Sequence, residues 1–171
     1  MTLIDRPAIG PVLTVPVMFL LLFFSAGLAS TQRCAATPFA WEYTRGLKTP
    51  RHNHTATLLP DGRVLVASGE GVGGIMRSAE LYEPLTARWS RTRNLYNARY
   101  DHTATLLSNG TVLVAGGAQQ DFGIVGCEFY DPASGTWTET GNLNVGRFRQ
   151  TATLLADGRV LVRRRRWDER R

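Results

Sequence analysis

Apolar positions between residues 51 and 162 come in short blocks, without the alternation of a half-buried strand. Leu58 and Leu59 are adjacent, and Val64-Leu65-Val66-Ala67 runs without a polar break. Short apolar blocks bounded by Gly, Pro, Asp and Asn predict β-strands covered on both faces. Strand a is predicted at 54–59 and strand b at 63–67. Strand c follows at 79–82, ended by Pro84, and strand d surrounds Trp89. Asp61-Gly62 and Asn109-Gly110 predict tight a–b hairpins, because Gly and Asn tolerate positive φ. Pro132-Ala133-Ser134-Gly135 predicts a c–d turn.

The blocks recur. Segments beginning at Arg51, Arg99 and Arg147 share the pattern Thr-Ala-Thr-Leu-Leu, then Asp/Asn-Gly, then Val-Leu-Val, at an offset of 48 residues without a gap. Trp41, Trp89 and Trp137 keep the same offset, as do Leu47, Leu95 and Leu143. Glu80-Leu81-Tyr82-Glu83-Pro84 returns as Glu128-Phe129-Tyr130-Asp131-Pro132, and Gly69 returns as Gly117. A fixed period of this length marks a repeat architecture. Four-stranded sheets that are apolar on both faces gain cover by stacking between similar sheets, as propeller blades do. An open sandwich would alternate instead. Tyr82 with Trp89, and Tyr130 with Trp137, are suited to fill the wedge between sheets.

This pattern resembles the kelch repeat. Gly116-Gly117 matches its Gly pair after strand b, Ser68-Gly69 keeps the second Gly, and the Tyr and Trp follow at Tyr82, Tyr130, Trp89 and Trp137. The wording is similar to bacterial kelch proteins and the galactose-oxidase central domain. The resemblance implies an all-β fold, a partial β-propeller of about two and a half four-stranded blades over 41–162. A lone outer strand is expected at 41–44, which contains Trp41, with blades at 51–92 and 99–140 and a partial blade at 147–162. Open blade faces at the ends of such an array invite self-association.

Two segments flank the repeats. Residues 9–28 carry no charge, and Val17 to Phe24 is the densest apolar stretch. Gly27 and Ala29 are small and two apart, as a signal-peptide cleavage site requires. Residues 1–29 are therefore expected to be a hydrophobic helical signal segment, or a membrane anchor if uncleaved, with a linker at 30–40. Export to the periplasm, cell surface or medium follows, and with it an oxidising compartment. Cys34 and Cys127 are the two cysteines; Cys127 occupies the position of Ala79, so a small buried side chain is the simpler reading, with pairing left open. After Val162 the repeat predicts Ala-Gly-Gly, but the chain reads Arg163-Arg164-Arg165-Arg166. GC-rich Gly codons read out of phase become Arg codons. The tail 163–171 is thus expected to be out of frame and the chain an incomplete fragment, against the alternative of a genuine basic tail.

Charge and composition change the picture little. The 17 Gly and 8 Pro suit short strands and turns. The formal charge is +6, but six Arg and two acids in 163–171 supply +4 of it. A phosphate-binding face would spread its cations through the fold, so no nucleic acid is expected. Among His52, His54 and His102, the second and third align with Gln150 as one repeat position and read as structural. No metal, cofactor or catalytic residue is expected, and the chain reads as no enzyme. Arg51, Arg99 and Arg147, with Glu80 and Glu128, read as scaffold because they recur. The b–c loops, 69–78 and 117–126, share one end of the repeats and differ between copies. Loops that vary on a rigid frame are where recognition lives. Glu70, Arg77, Gln119, Gln120, Asp121 and Phe122 are the candidate contacts. The expected function is an exported, non-catalytic scaffold that binds protein or carbohydrate. The alternatives are a remnant of a galactose-oxidase-like copper enzyme, or a truncated product without function.

Overall fold

The computed structural model describes residues 2–4, 41–120 and 122–163. The expected signal segment beyond Ile4, the linker with Cys34, Asp121 and the tail beyond Arg163 lie outside the described residues. The chain divides into two units at Thr44. In the first, β1 (Thr2–Ile4) pairs antiparallel with β2 (Trp41–Tyr43). β2 falls within the stretch expected as a lone outer strand, but here it is paired with β1.

The second unit is built from the repeats and is all β among its described residues. The first copy forms β3 (Thr55–Leu58), β4 (Val64–Ala67), β5 (Glu70–Gly71), β6 (Gly74–Ile75), β7 (Ala79–Glu83) and β8 (Arg88–Thr92). The second forms β9 (Thr103–Leu106), β10 (Val112–Ala115), β11 (Ala118–Gln119), β12 (Phe122–Gly123), β13 (Cys127–Asp131) and β14 (Thr136–Thr140). The third contributes β15 (Thr151–Leu154) and β16 (Val160–Arg163). Strands pair in chain order, β3-β4-β7-β8 and β9-β10-β13-β14, all antiparallel, while β15 and β16 make a two-stranded sheet. Each a–b hairpin turns on a glycine at positive φ, between 85° and 87° at Gly62, Gly110 and Gly158. An L side chain is disfavoured there, which explains the recurring Asp/Asn-Gly.

The missing alternation now has a structural cause. One face of the first sheet, carrying Leu65, Ala67, Ala79 and Leu81, packs on Val112, Val114, Tyr130 and Trp137 of the second. The latter residues occupy the register positions of Val64, Val66, Tyr82 and Trp89, which line the opposite face of the first sheet. The sheets thus stack front to back, and every inner strand needs apolar residues on both sides. Tyr130 and Trp137 are cross-strand neighbours with ring centroids 4.9 Å apart, and Tyr82 and Trp89 repeat the pair at 5.0 Å.

Polar contacts reinforce the stack at repeat spacing. Asp101 N donates to Asn53 O at 3.1 Å, and Arg149 N donates to Asp101 O at 2.9 Å. Gly69 N donates to Arg99 O, and Gly117 N to Arg147 O, both at 2.9 Å. A Cβ on Gly69 would lie 2.6 Å from His52 O, and one on Gly117 would lie 2.9 Å from Tyr100 O. The kelch-type second glycine is therefore required by close backbone approach as well as by its positive φ of 101° or 104°. Ser68 takes the place of Gly116 at φ 54° with its side chain buried.

Candidate functional site

The recurring Arg and Glu build the base of the variable loops. Arg99 and Glu128 are fully buried and meet at 2.6 Å. Arg99 Nη1 donates to Gly116 O at 2.8 Å and to Gly126 O at 2.7 Å, the two ends of the b–c excursion. Glu128 also accepts from Tyr96 N and Asn97 N at 2.8 and 3.1 Å, so it holds the d–a link. The first copy repeats this clamp. Arg51 Nη1 donates to Ser68 O and Ser78 O, Arg51 Nη2 meets Glu80 at 2.9 Å, and Glu80 accepts from Lys48 N and Thr49 N. Each ion pair is saturated with hydrogen bonds, the condition under which a buried pair is tolerated. Burial pulls the Arg99 guanidinium below its ordinary pKa, and Glu128 opposes that shift.

Above each clamp the b–c segment is a small hairpin, where the sequence indicated only a loop. Glu70 pairs with Ile75 and Gly71 with Gly74; in the second copy Ala118 pairs with Gly123 and Gln119 with Phe122. The registers coincide, but the side chains do not. Gln119 and Phe122 stand where the first hairpin has Gly71 and Gly74. Gln119 and Gln120 are exposed, and Phe122 is 77% exposed.

The remaining candidates are dispersed. Glu70 faces His52, with Nε2 and Oε2 3.6 Å apart. Arg77 is exposed and lines a groove of about 370 Å³ with Arg93, Tyr96 and Trp137, residues of the strand ends and links. Asp121 lies outside the described residues. A second groove, about 440 Å³, lies at the opposite end, between the a–b turns of both copies and Pro132. Arg63 spans it, donating to Pro132 O at 3.1 Å, and pairs with Asp61. Sequence reasoning missed this groove, which exists only because two copies are stacked.

His102 sits inside the stack, His54 is partly buried and His52 is exposed. His102 Nε2 lies 2.8 Å from Thr55 Oγ1 and joins two copies. Burial first, then Arg99 and His54, pushes its pKa down to about 3. His54 is lowered by burial and by Arg51. Folded His102 thus stays neutral where the unfolded chain binds a proton near pH 6.5. Between those limits the unfolded state holds more protons, so stability falls as pH falls, by at most about 1.4 kcal/mol per pH unit. Above 6.5 the effect vanishes. His102→Gln, which installs the residue of position 150, is expected to flatten the fall of the urea midpoint between about pH 6.5 and 4. An unchanged pH slope would contradict a neutral, buried His102.

No protein-family model matches the chain, and no curated protein does. Among solved structures, a fungal alcohol oxidase of the AA5 family, in complex with copper, superposes with a TM-score of 0.56 at 21% identity. The match covers 66% of this chain and 27% of that one, so the chain spans about a quarter of the enzyme's length. The shared property is the fold. The expectation that the chain reads as no enzyme is corrected by this likeness, because the matched fold belongs to an alcohol oxidase. The copper of that structure finds no fit among the described residues. Among the described residues no three His, Cys, Asp or Glu side chains gather as ligands. His102 Nε2 is engaged by Thr55, and buried Cys127 Sγ lies 3.6 Å from Val125 O.

Proposed function

We propose that the chain is a segment of an exported kelch-type β-propeller of the galactose-oxidase kind, and that its second b–c hairpin recognises a carbohydrate. The stacking supports the propeller reading: four-stranded units in 48-residue register meet front to back through the same contacts. On that reading the units at 51–92 and 99–140 are blades, and 147–162 is the inner half of a third.

The contrast between the hairpins carries the recognition reading. The Arg–Glu clamp beneath them repeats in its carbonyl, carboxylate and amide contacts. Only the second presents an exposed aromatic ring beside exposed amides, at Phe122, Gln119 and Gln120. An aromatic face against sugar C–H groups, with amides for hydroxyls, is a suitable pairing of apolar and polar contacts. The likeness to an alcohol oxidase fits a hydroxyl-rich ligand. It also supports a second reading, a piece of a copper-dependent oxidase whose ligands come from other segments; sugar-alcohol oxidation by copper-loaded full-length product would favour it.

The test is retention on a panel of immobilised polysaccharides. The chain is expected to be retained on at least one, and Phe122→Ala to weaken retention about tenfold, ~1.4 kcal/mol. Val72→Ala, in the first hairpin, is expected to change nothing. Equal retention of wild type and Phe122→Ala would refute recognition by this hairpin.

A further inference from the structure

Scaffold residues build the groove of about 370 Å³ between the d–a link of the first copy and β14 of the second, and varying residues charge it. Leu95 and Trp137 belong to its lining; both are buried, and both recur, as Leu143 and Trp89. Trp137 Nε1 donates to Arg93 O at 2.8 Å, as Trp89 Nε1 donates to Arg45 O at 2.7 Å. A matching groove of about 430 Å³ lies against Arg45, Lys48 and Trp89. The side chains of the larger repeat unit that face ligand space are less constant. Arg77, Arg93 and Tyr96 are replaced by Val125, Gly141 and Asn144 in the second copy. The link holds with either set: Leu95 N donates to Arg77 O at 2.8 Å, and Leu143 N donates to Val125 O at 2.9 Å. The fold therefore does not require cations at these positions. Arg77, Arg93, Asn94 and Tyr96 are exposed. Among the described residues no carboxylate lines this groove, and neither guanidinium forms an ion pair.

We propose that this groove binds the carboxylate of an acidic sugar, a uronate unit of a polysaccharide. Arg77 and Arg93 bring two guanidinium forks to one groove, and that fork matches a carboxylate with paired hydrogen bonds. The Asn94 amide and the hydroxyls of Tyr96 and Thr136, which line the same groove, are partners for sugar hydroxyls. Its volume falls within the ~300–1,000 Å³ of small-ligand sites. A neutral sugar would leave both cations without a countercharge. A nucleic acid fits less well, because its phosphates call for a stripe of cations along the fold, and this groove supplies two. The inference goes beyond recognition by the second hairpin. It uses none of the residues 118–123 and stands whether or not they bind a carbohydrate.

The experiment is calorimetric titration of the full chain with a galacturonic acid trimer and with its methyl ester. Low ionic strength is used, because salt screens exposed charges. Saturable binding of the acid is expected, and none of the ester. Arg77→Gln and Arg93→Gln are each expected to weaken binding about tenfold, the loss of a charged hydrogen bond. Their melting temperatures are expected to stay close to wild type, because the carbonyls that hold the link remain. Arg91→Gln removes an exposed cation outside the groove and is expected to bind as wild type does. So is Phe122→Ala, which separates this site from the hairpin. Absent binding would overturn the proposal, as would equal binding of acid and ester, or an Arg91→Gln effect as large as that of Arg77→Gln. Tighter binding of an oligodeoxynucleotide through the same two arginines would overturn it in favour of a phosphate polymer. If either groove variant does not fold, the comparison of acid with ester on wild type still decides.

Discussion

Glu128→Ala is expected to destabilise the chain by about 3–5 kcal/mol, enough to abolish a cooperative unfolding transition near physiological temperature. The carboxylate is fully buried and is the ion-pair partner of Arg99. Its loss leaves a guanidinium without countercharge in a dry site, and leaves the amides of Tyr96 and Asn97 without their acceptor. It also frees the d–a link that carries buried Leu95. The damage therefore spreads from one ion pair to the stacking of two sheets. Glu139, exposed on β14, is the control, and Glu139→Ala is expected to stay within about 0.5 kcal/mol of wild type. Urea unfolding followed by tryptophan fluorescence measures both. A Glu128→Ala protein as stable as Glu139→Ala would mean that Arg99 is solvated.

Tyr130→Ala is the second large effect, expected at about 3–5 kcal/mol. Tyr130 is fully buried, packs on Trp137, and belongs to the face that meets Leu65 and Leu81. Its hydroxyl lies 2.9 Å from Thr92 Oγ1, a residue of the preceding sheet. Tyr130→Phe separates the two contributions. It keeps the ring and loses one inter-sheet hydrogen bond, for an expected cost of about 1 kcal/mol. If Tyr130→Phe were as damaging as Tyr130→Ala, the hydrogen bond and not the packing would hold the sheets together.

The strands and their stacking were legible because the apolar blocks refuse to alternate. Val112-Leu113-Val114-Ala115 has to be covered on both faces, and the structure covers it from both sides. The 48-residue return of Arg and Glu indicated a scaffold role, and the geometry adds what spacing does not contain. Arg99 reaches carbonyls 17 and 27 residues away, at the two ends of one loop. The hairpins within 69–78 and 117–126 escaped because two-residue strands have no periodicity to read. Their glycines, Gly71 and Gly74, resemble those of any loop. The groove beside Arg63 escaped for another reason. Its walls come from turns of different copies, and no local pattern reports their meeting. Glu70, Arg77 and the 119–122 hairpin were grouped by a shared end of the repeat, and the structure assigns them to separate surroundings.

Native-state amide exchange on the whole chain tests the account most directly. Stacked, clamped sheets predict the slowest exchange in Val112–Ala115 and Cys127–Asp131, close behind it Val64–Ala67 and Ala79–Glu83, and much faster exchange in Val160–Arg163. Uniformly fast exchange, or protection of Val160–Arg163 equal to that of Val112–Ala115 in the monomeric chain, would contradict it.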